Sequence, residues 1–227
     1  MSRKPDPANS VSSKNSKVPT FIGTLPRSIA IVGNGPSELG KRHRAKIDVF
    51  DFVLRFNNFR VAGFEQDYGS RTDLWATTFY HDIIPPQIES VKRVLCVYRF
   101  DQPTFFPERY SWNYPNHVQG FQDRTVMIPK HFFTELWAVL LYPTAGISLL
   151  WWYWRTYGNL DRKAIFGFSF LNSAHQYHYW DRSSSSELDQ VHDGDKERTL
   201  FQIMLESDGL NPHLSLIANL LQSCSGK

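Results

Sequence analysis

The chain has 227 residues, of which 41% are apolar and 15% aromatic, so it can bury one substantial core. Its formal net charge of +3 comes from residues 1–25, where four basic residues stand against Asp6, and the rest of the chain is neutral. A neutral body argues against a nucleic-acid-binding face, and two cysteines are too few for a disulfide scaffold. We predict a disordered basic tail over residues 1–25, followed by one domain over residues 26–222.

Short apolar runs alternate with helical patterns along the chain. The run Ile29 to Val32 has no polar interruption, which is typical of a parallel sheet covered on both faces. Strands that alternate with helices predict an α/β fold, a Rossmann-like three-layer α/β/α arrangement with a mostly parallel sheet. The predicted strands are 29–32, 52–56, 74–79, 91–98 and 164–170. The predicted helices are 36–46, one that opens at residues 85–86, one or two within 129–157, and a final one over 196–206.

One segment has the length of a membrane-spanning helix. The nineteen residues from Leu136 to Trp154 carry no charge. The sequence Tyr142-Pro-Thr-Ala-Gly146 breaks the run near its centre, and tryptophans crowd one end. We therefore predict a loop that leads into a buried helix, and no integral membrane segment in this chain.

Turn residues follow the first predicted strand, and asparagines follow the second. Gly33-Asn34-Gly35 comes directly after Val32, and Asn57 comes directly after Phe56. Glycines after such a strand let the backbone approach a phosphate or a nucleotide. The sequence has neither the third glycine of the dinucleotide fingerprint nor the Gly-Lys-Ser/Thr of a P-loop. On this pattern alone, a nucleotide site and an ordinary strand-turn-helix corner are equally supported.

The sequence from Gly33 to Thr72, taken as a whole, is more informative about function than its first part. It closely resembles the large sialylmotif of the animal-type sialyltransferase family, whose members transfer sialic acid from a cytidine monophosphate (CMP) donor to a sugar hydroxyl. The matching blocks occur in order as Gly33-Asn-Gly35, Asp51-Phe-Val-Leu-Arg-Phe-Asn57 and Gly63-Phe-Glu-Gln-Asp-Tyr-Gly-Ser-Arg-Thr72.

This resemblance implies a GT-A-like sialyltransferase fold, with residues 26–222 as a single glycosyltransferase catalytic domain. It also implies that the side chains of Asn34 and Asn57 bind the CMP donor, and that the backbone of Gly33 and Gly35 lines the same site.

The second block, Tyr142-Pro-Thr-Ala-Gly146, is a turn that leads into a predicted helix. By itself it indicates a helix start capped by Thr144. It also resembles the small sialylmotif, with its Tyr-Pro-Ser-Thr-Gly core, although Ala145 lacks the hydroxyl found there. The resemblance implies that Tyr142, Thr144 and Gly146 line the donor site.

The third block is His178-Tyr-Trp-Asp181. A histidine among aromatic residues is more often a packed or surface residue than a catalytic one. The block nevertheless resembles the third motif of the family, in which the histidine contacts the donor phosphate. The resemblance therefore implies that His178 stabilises the departing phosphate.

The fourth block, His192-Asp-Gly-Asp-Lys-Glu197, permits two interpretations. Asp193 and Asp195 could hold a divalent metal ion that bridges a nucleotide diphosphate. Alternatively, His192 and Glu197 match the last sialylmotif, His-x4-Glu, in which the histidine is the general base. We favour the second interpretation, with Glu197 in a supporting role and no metal, because Asp is common in the polar loop ahead of a helix.

Together these blocks predict a metal-independent, inverting sialyltransferase-like enzyme without a cofactor. Its partners would be a nucleotide-sugar donor, either CMP-sialic acid or CMP-Kdo, and a glycan acceptor, with no nucleic acid. Two alternatives remain, a metal-dependent nucleotide-sugar transferase that uses Asp193 and Asp195, and a non-catalytic nucleotide-binding module.

The cysteine pattern bears on the compartment. Lumenal members of the family carry a cysteine at the start of the large motif, and this chain has Ser28 near that place. A cytoplasmic location is therefore favoured. The alternative is the Golgi lumen, if the chain is part of a longer protein.

Overall fold

A single parallel sheet organises the domain. The computed structural model describes residues 28–78, 83–84, 91–97, 124–171, 176–181 and 192–223. In these ranges six strands pair in the order β5-β4-β3-β2-β1-β6, and every pairing is parallel. The strands are β1 (Ile29–Val32), β2 (Phe52–Phe56), β3 (Leu74–Thr77), β4 (Arg93–Cys96), β5 (Thr125–Met127) and β6 (Ile165–Phe166).

Helices cover both faces of this sheet. Alternate residues of β1 point to opposite faces, so Ile29 and Ile31 join one core and Ala30 and Val32 join the other. The short helices α1 and α2 pack on the second core, and the four longer ones pack on the first. The helices are α1 (Arg44–Asp48), α2 (Glu65–Tyr68), α3 (Lys130–Val139), α4 (Ala145–Tyr157), α5 (Gly194–Glu206) and α6 (Leu214–Ser223). The predicted three-layer α/β/α fold is therefore confirmed.

Helix α4 is the most deeply buried helix among those described. Its tryptophans Trp151, Trp152 and Trp154 are each 1% exposed or less. Since tryptophan is among the largest apolar side chains, this helix supplies much of the larger core. The helix ends at Gly158, which adopts a left-handed φ of 86° that a glycine tolerates without strain.

The sheet has a topological switch point between β1 and β6. From β1 the chain builds outward through β2, β3, β4 and β5, and it then returns to place β6 on the other side of β1. In open α/β sheets, ligands bind outside the carboxyl ends of the strands at such a point. Gly33-Asn34-Gly35 and Gly167-Phe168-Ser169 both begin there.

The predicted helix over residues 36–46 is wrong. A single 3-10 turn, Pro36–Glu38, is followed by an irregular segment and then by α1. Gly40 and Arg42 have φ values of 75° and 55°, which no α-helix contains. The Asp67 carboxylate accepts hydrogen bonds from their backbone N–H groups at 2.8 and 2.9 Å, so a tertiary contact overrides the local helical pattern.

Other predicted bounds also differ from the structure. The strand predicted over 164–170 ends at Phe166, because Gly167, Phe170 and Leu171 all have positive φ. The helix predicted to be last is followed by α6, and β5 was not predicted at all.

The uncharged run from Leu136 to Trp154 is divided between α3 and α4. No helix in the described ranges has the length and apolar character needed to cross a bilayer. Residues 1–25 and the predicted helix at 85–86 lie outside the described residues.

A buried arginine in β2 holds the segment that follows α2. The Arg55 side chain is fully buried, and its Nη2 atom donates to the carbonyl oxygens of Tyr68 and Gly69 at 2.8 and 3.0 Å. Its Nε atom donates to the carbonyl oxygen of Arg71 at 3.0 Å and to the hydroxyl of Thr72 at 3.1 Å. Arg55 therefore replaces water as the partner of several buried acceptors.

We expect Arg55→Met to reduce the free energy of unfolding by about 3 kcal/mol or more, since these acceptors would be left buried and unpaired. Urea denaturation followed by circular dichroism measures this loss. Arg42→Met removes an exposed arginine and should change the stability by no more than about 0.5 kcal/mol. Equal losses in the two variants would contradict the role given to Arg55.

Candidate active site

Asn34 and Asn57 lie side by side at the carboxyl edge of the sheet. Val32 pairs with Arg55 across β1 and β2, and each asparagine comes two residues later on its strand. The Asn34 Nδ2 atom donates to the carbonyl oxygen of Phe56 at 3.0 Å. The two side chains that were predicted to share a nucleotide site are thus neighbours.

The backbone of Asn57 is held in an unusual conformation. Its φ is 43°, in the left-handed region that asparagine tolerates better than most residues. The indole N–H of Trp75 donates to the Asn57 carbonyl oxygen at 3.0 Å. The Asn57 Oδ1 atom accepts the N–H of Thr78 at 3.1 Å, which fixes the orientation of the side-chain amide.

Two buried oxygen atoms at this edge have no partner among the described residues. They are Oδ1 of Asn34 and Oγ1 of Thr78, each with almost no solvent exposure. A buried polar atom without a hydrogen-bond partner lowers the stability of the fold by about 1–3 kcal/mol. Such atoms therefore indicate a ligand that would hydrogen-bond to them. Thr78 was missed from the sequence, although its place directly after β3 was a usable signal.

The glycines after β1 are required by close packing against the segment after β6. The N–H groups of Gly33 and Gly35 donate to the carbonyl oxygens of Phe166 and Gly167, both at 2.8 Å. A Cβ atom on Gly33 would lie only 2.6 Å from the Gly167 carbonyl oxygen. These two N–H groups are consequently used within the protein, and a place for the two glycines in a nucleotide site stays a prediction.

The His178 block is docked onto the loop after β1. The N–H of Tyr179 donates to the carbonyl oxygen of Asn34 at 2.9 Å, and the Tyr179 ring stacks on Tyr68 with centroids 3.8 Å apart. The His178 ring stacks on Trp180, with centroids 4.8 Å apart. Burial lowers the pKa of His178, and the Asp181 carboxylate opposes that shift only in part. His178 is therefore neutral near pH 7.

The N-terminus of α4 provides backbone donors. Thr144 caps the helix, since its Oγ1 accepts the N–H of Ile147 at 3.3 Å. The N–H groups of Ala145 and Gly146 belong to the first helical turn, which has no backbone acceptors of its own. A Cβ on Gly146 would lie 2.8 Å from the ring of Phe168, so this glycine lets the segment after β6 pack against the helix start.

His192 is fixed beside the same helix start. Its Nδ1 atom lies 2.6 Å from the carbonyl oxygen of Tyr142. Because a carbonyl oxygen only accepts, Nδ1 carries the proton and Nε2 is left as an acceptor. Burial lowers the pKa of His192, although the hydrogen bond to Tyr142 opposes the shift. The residue thus has the protonation state and tautomer of a general base at neutral pH.

Glu197 joins α5 to the start of α4. The side chain is 2% exposed, and its two oxygens accept the N–H and the hydroxyl of Thr144 at 2.6 and 2.8 Å. Burial raises the pKa of Glu197 to about 7, against the opposing effect of the Thr144 hydrogen bonds. This carboxyl group ties α5, the helix that follows His192, to the start of α4, and its supporting role in a reaction stays a prediction.

The two aspartates of the alternative metal site have other partners. Asp193 caps α5 by accepting the N–H of Lys196 at 3.0 Å, and it forms an ion pair with the same side chain at 3.2 Å. Asp195 pairs with Arg198 at 3.0 Å. Within the described ranges, no three metal-ligating side chains come together.

The predicted residues therefore form two groups that meet at the switch point. Asn34, Asn57 and the His178 block lie on the sheet side, whereas Tyr142, Thr144, His192 and Glu197 lie on the α4 side. Phe168 connects the groups, because its ring packs on Gly146 and meets Phe56 with centroids 6.0 Å apart.

Comparison with known proteins shows what this chain is similar to. Residues 9–97 match the family model of glycosyltransferase family 29 (sialyltransferase). CMP-N-acetylneuraminate-beta-galactosamide-alpha-2,3-sialyltransferase 1 of Gallus gallus is 26% identical over 191 residues, which cover 75% of this chain and 53% of that protein. Sialyltransferase-like protein 2 of Oryza sativa subsp. indica is 45% identical over 53 residues, 23% of this chain and 13% of that protein. By these matches the chain is similar to the sialyltransferase family.

The fold of this chain also has a solved counterpart. A mammalian sialyltransferase in complex with Gal-beta-1-3GalNAc-ortho-nitrophenol superimposes with a TM-score of 0.55 at 22% identity, covering 77% of this chain and 64% of that one. The chain spans about half the length of the alpha-2,3-sialyltransferases that it matches, 53% for the Gallus gallus protein and 54% for that of Mus musculus.

The family corrects the predicted compartment. The animal sialyltransferases that the chain matches are lumenal Golgi enzymes, so the prediction of a cytoplasmic location is wrong. That prediction depended on the missing family cysteine. A core of this size does not require a disulfide in any compartment, so the cysteine pattern was a poor guide.

The buried carboxyl group of Glu197 should make stability depend on pH. Its pKa is about 7 in the fold against 4.5 as the ordinary value, so the folded state holds the proton more tightly. The contribution of this carboxyl group to the free energy of unfolding is fully present below pH 4.5 and is lost as pH rises through about 7. The loss is at most about 3 kcal/mol. Glu197→Gln keeps an acceptor for the Thr144 N–H but cannot titrate.

Chemical denaturation between pH 4.5 and 8 tests this expectation. The wild type should lose stability relative to Glu197→Gln as pH rises, while the contributions of the histidines are common to both proteins and cancel. Glu206→Gln, at the exposed end of the same helix, is the control for removal of a charge. The raised pKa of Glu197 is contradicted if the difference in the free energy of unfolding between the wild type and Glu197→Gln does not change with pH.

Proposed function

We propose that the chain carries the catalytic centre of an inverting, metal-independent sialyltransferase that uses a CMP-activated donor. The observation that carries this proposal is the 2.6 Å contact between His192 Nδ1 and the Tyr142 carbonyl oxygen. It joins two sequence blocks fifty residues apart and leaves a partly buried, neutral imidazole whose Nε2 could accept a proton at the start of α4.

The reaction follows from that geometry. The Nε2 atom of His192 takes the proton from an acceptor hydroxyl as the hydroxyl oxygen attacks the anomeric carbon of the donor sugar. The new carbon–oxygen bond forms on the face opposite the phosphate, and the bond from the anomeric carbon to the phosphate oxygen breaks. The electron pair of that bond leaves with CMP, the proton ends on His192, and a single displacement inverts the anomeric configuration.

The sheet edge supplies the donor site in this proposal. The unpaired Oδ1 of Asn34 and Oγ1 of Thr78 would accept or share hydrogen bonds with CMP, and the NH2 group of Asn57 would donate one. The N–H groups of Ala145 and Gly146 would face the phosphate, since a helix start favours an anion. A neutral His178 would donate a hydrogen bond to the departing phosphate, and this bond would strengthen as negative charge develops.

Sialic acid is the donor sugar that we propose, because the names of the alpha-2,3-sialyltransferases specify CMP-N-acetylneuraminate for those proteins. The same names specify beta-galactosamide acceptors, so a galactose-containing glycan is the proposed acceptor. CMP-Kdo is the competing donor, and transfer assays with both donors in the presence of EDTA separate the possibilities. Loss of transfer in EDTA, restored by magnesium or manganese, would instead support the metal-dependent alternative.

We expect Asn34→Ala and Asn57→Ala each to weaken CMP binding roughly tenfold or more, since loss of one buried hydrogen-bond partner costs about 1–3 kcal/mol. Isothermal titration calorimetry measures the affinity. Asn58→Ala is the neighbouring control and should bind CMP about as the wild type does. Unchanged CMP affinity in a folded Asn57→Ala protein would refute the donor site.

Substitution of His192 and substitution of His178 should have different effects on turnover and on CMP binding. His192→Ala should lose about 10²–10⁴ of turnover with little change in CMP affinity, because a general base acts at the acceptor oxygen. His178→Ala should lose turnover and also bind CMP more weakly, since its partner is the phosphate. The lowered pKa of His192 places the acidic fall of kcat/KM below pH ~6.5, the unperturbed value for histidine. If His192→Ala keeps more than about a tenth of wild-type turnover, the base lies elsewhere.

A further inference from the structure

A buried tyrosine at the end of α2 contacts the loop after β1. Tyr68 is fully buried, and its hydroxyl donates to the carbonyl oxygen of Gly35 at 2.8 Å. The same hydroxyl accepts the N–H of Glu38 at 3.3 Å. Burial raises the pKa of Tyr68, so the hydroxyl keeps its proton at neutral pH and remains a donor. The two bonds therefore fix the backbone that directly follows Asn34.

The ring of Tyr68 packs on the sequence neighbour of His178. The rings of Tyr68 and Tyr179 are stacked, with centroids 3.8 Å apart and planes 19° from parallel. Trp180 meets the Tyr179 ring edge-on with centroids 4.6 Å apart, and the His178 ring stacks on Trp180. A continuous row of four rings therefore connects the end of α2 to the imidazole of His178.

The end of α2 is itself held in place, so Tyr68 can act as a support. The Nη2 atom of Arg55 donates to the carbonyl oxygens of Tyr68 and Gly69, which ties this end of α2 to β2. The hydroxyl of Tyr68 is fixed at its other end by the loop after β1. Because buried side chains are close-packed, loss of the Tyr68 ring would leave a void beside Tyr179 into which the His178 block could shift.

We propose that Tyr68 is a positioning residue that sets the place of His178 relative to Asn34. Its hydroxyl orients the loop that carries Asn34, and its ring holds the block that carries His178. This inference rests on the proposed function, because it takes both Asn34 and His178 as residues that bind CMP. No role was predicted for Tyr68 from the sequence.

Double-mutant cycles on CMP affinity, measured by isothermal titration calorimetry, test the ring first. Tyr68→Phe removes only the hydroxyl, whereas Tyr68→Leu removes the hydroxyl and the aromatic ring, so the difference between the two variants isolates the ring. We expect Tyr68→Leu to bind CMP roughly fivefold or more weakly than Tyr68→Phe. In the His178→Ala background the same difference should fall below about twofold, because the ring acts through His178.

The hydroxyl is tested by a second cycle. Tyr68→Phe leaves the buried carbonyl oxygen of Gly35 without its partner, so it should weaken CMP binding roughly fivefold relative to the wild type. That loss should fall below about twofold in the Asn34→Ala background and should persist in the His178→Ala background. A purely structural role for Tyr68 would produce no such selective coupling.

The control for a general loss of stability is Met204→Ala, which alters a buried residue of the larger core near the end of α5 and should leave CMP affinity unchanged. Circular dichroism confirms that each variant is folded. Tyr68→Met takes the place of Tyr68→Leu as the variant without a ring where the leucine variant does not fold.

The inference is overturned if the difference between Tyr68→Leu and Tyr68→Phe is as large in the His178→Ala background as in the wild-type background. It is also overturned if Tyr68→Phe binds CMP as the wild type does. Failure of the proposed function is a different result, namely a wild type that does not bind CMP, and the inference would then fail with it.

Discussion

Backbone hydrogen bonds join the loops after β1 and β6, and the candidate site depends on this contact. The hydrogen bonds from Gly33 and Gly35 to the segment after β6 bring two loops together at the switch point of the sheet. That approach leaves no room for a side chain at Gly33 or Gly35. It directs Asn34 toward the end of β2 and Phe168 toward the start of α4. A larger residue at either glycine would separate the donor half of the site from the half that carries His192.

Polar groups at this edge fall into two classes. The Nε and Nη2 atoms of Arg55 and the polar groups of Glu197 and Thr144 have partners within the protein, so they hold the framework. Asn34 Oδ1 and Thr78 Oγ1 are buried without a partner in the described part of the chain, so a ligand can hydrogen-bond to them. Since an unpaired buried group costs stability, we expect CMP to stabilise the protein against unfolding as well as to bind it.

The sequence predicted the parallel sheet better than it predicted the bounds of the elements. Apolar strands such as β1 are local signals, and the asparagines after β1 and β2 could be placed from strand register. The failed helix over 36–46 shows the limit, because Asp67, distant in sequence, binds the backbone of Gly40 and Arg42. Thr78 was missed for a related reason. Its relevance depends on the burial of its hydroxyl and on neighbours that are distant in the chain.

The charge states of the site suit a reaction in which negative charge moves onto a phosphate. Burial keeps His178 and His192 neutral, so one can donate a hydrogen bond and the other can accept a proton at the same pH. Glu197 stands closest to the start of α4, and burial raises its pKa to about 7. A protonated Glu197 leaves the helix start free of a competing negative charge, whereas an ionised Glu197 opposes an anion there. In the proposed reaction, the buried carboxyl group that holds α5 in place would therefore also set how strongly the helix start can favour the departing phosphate.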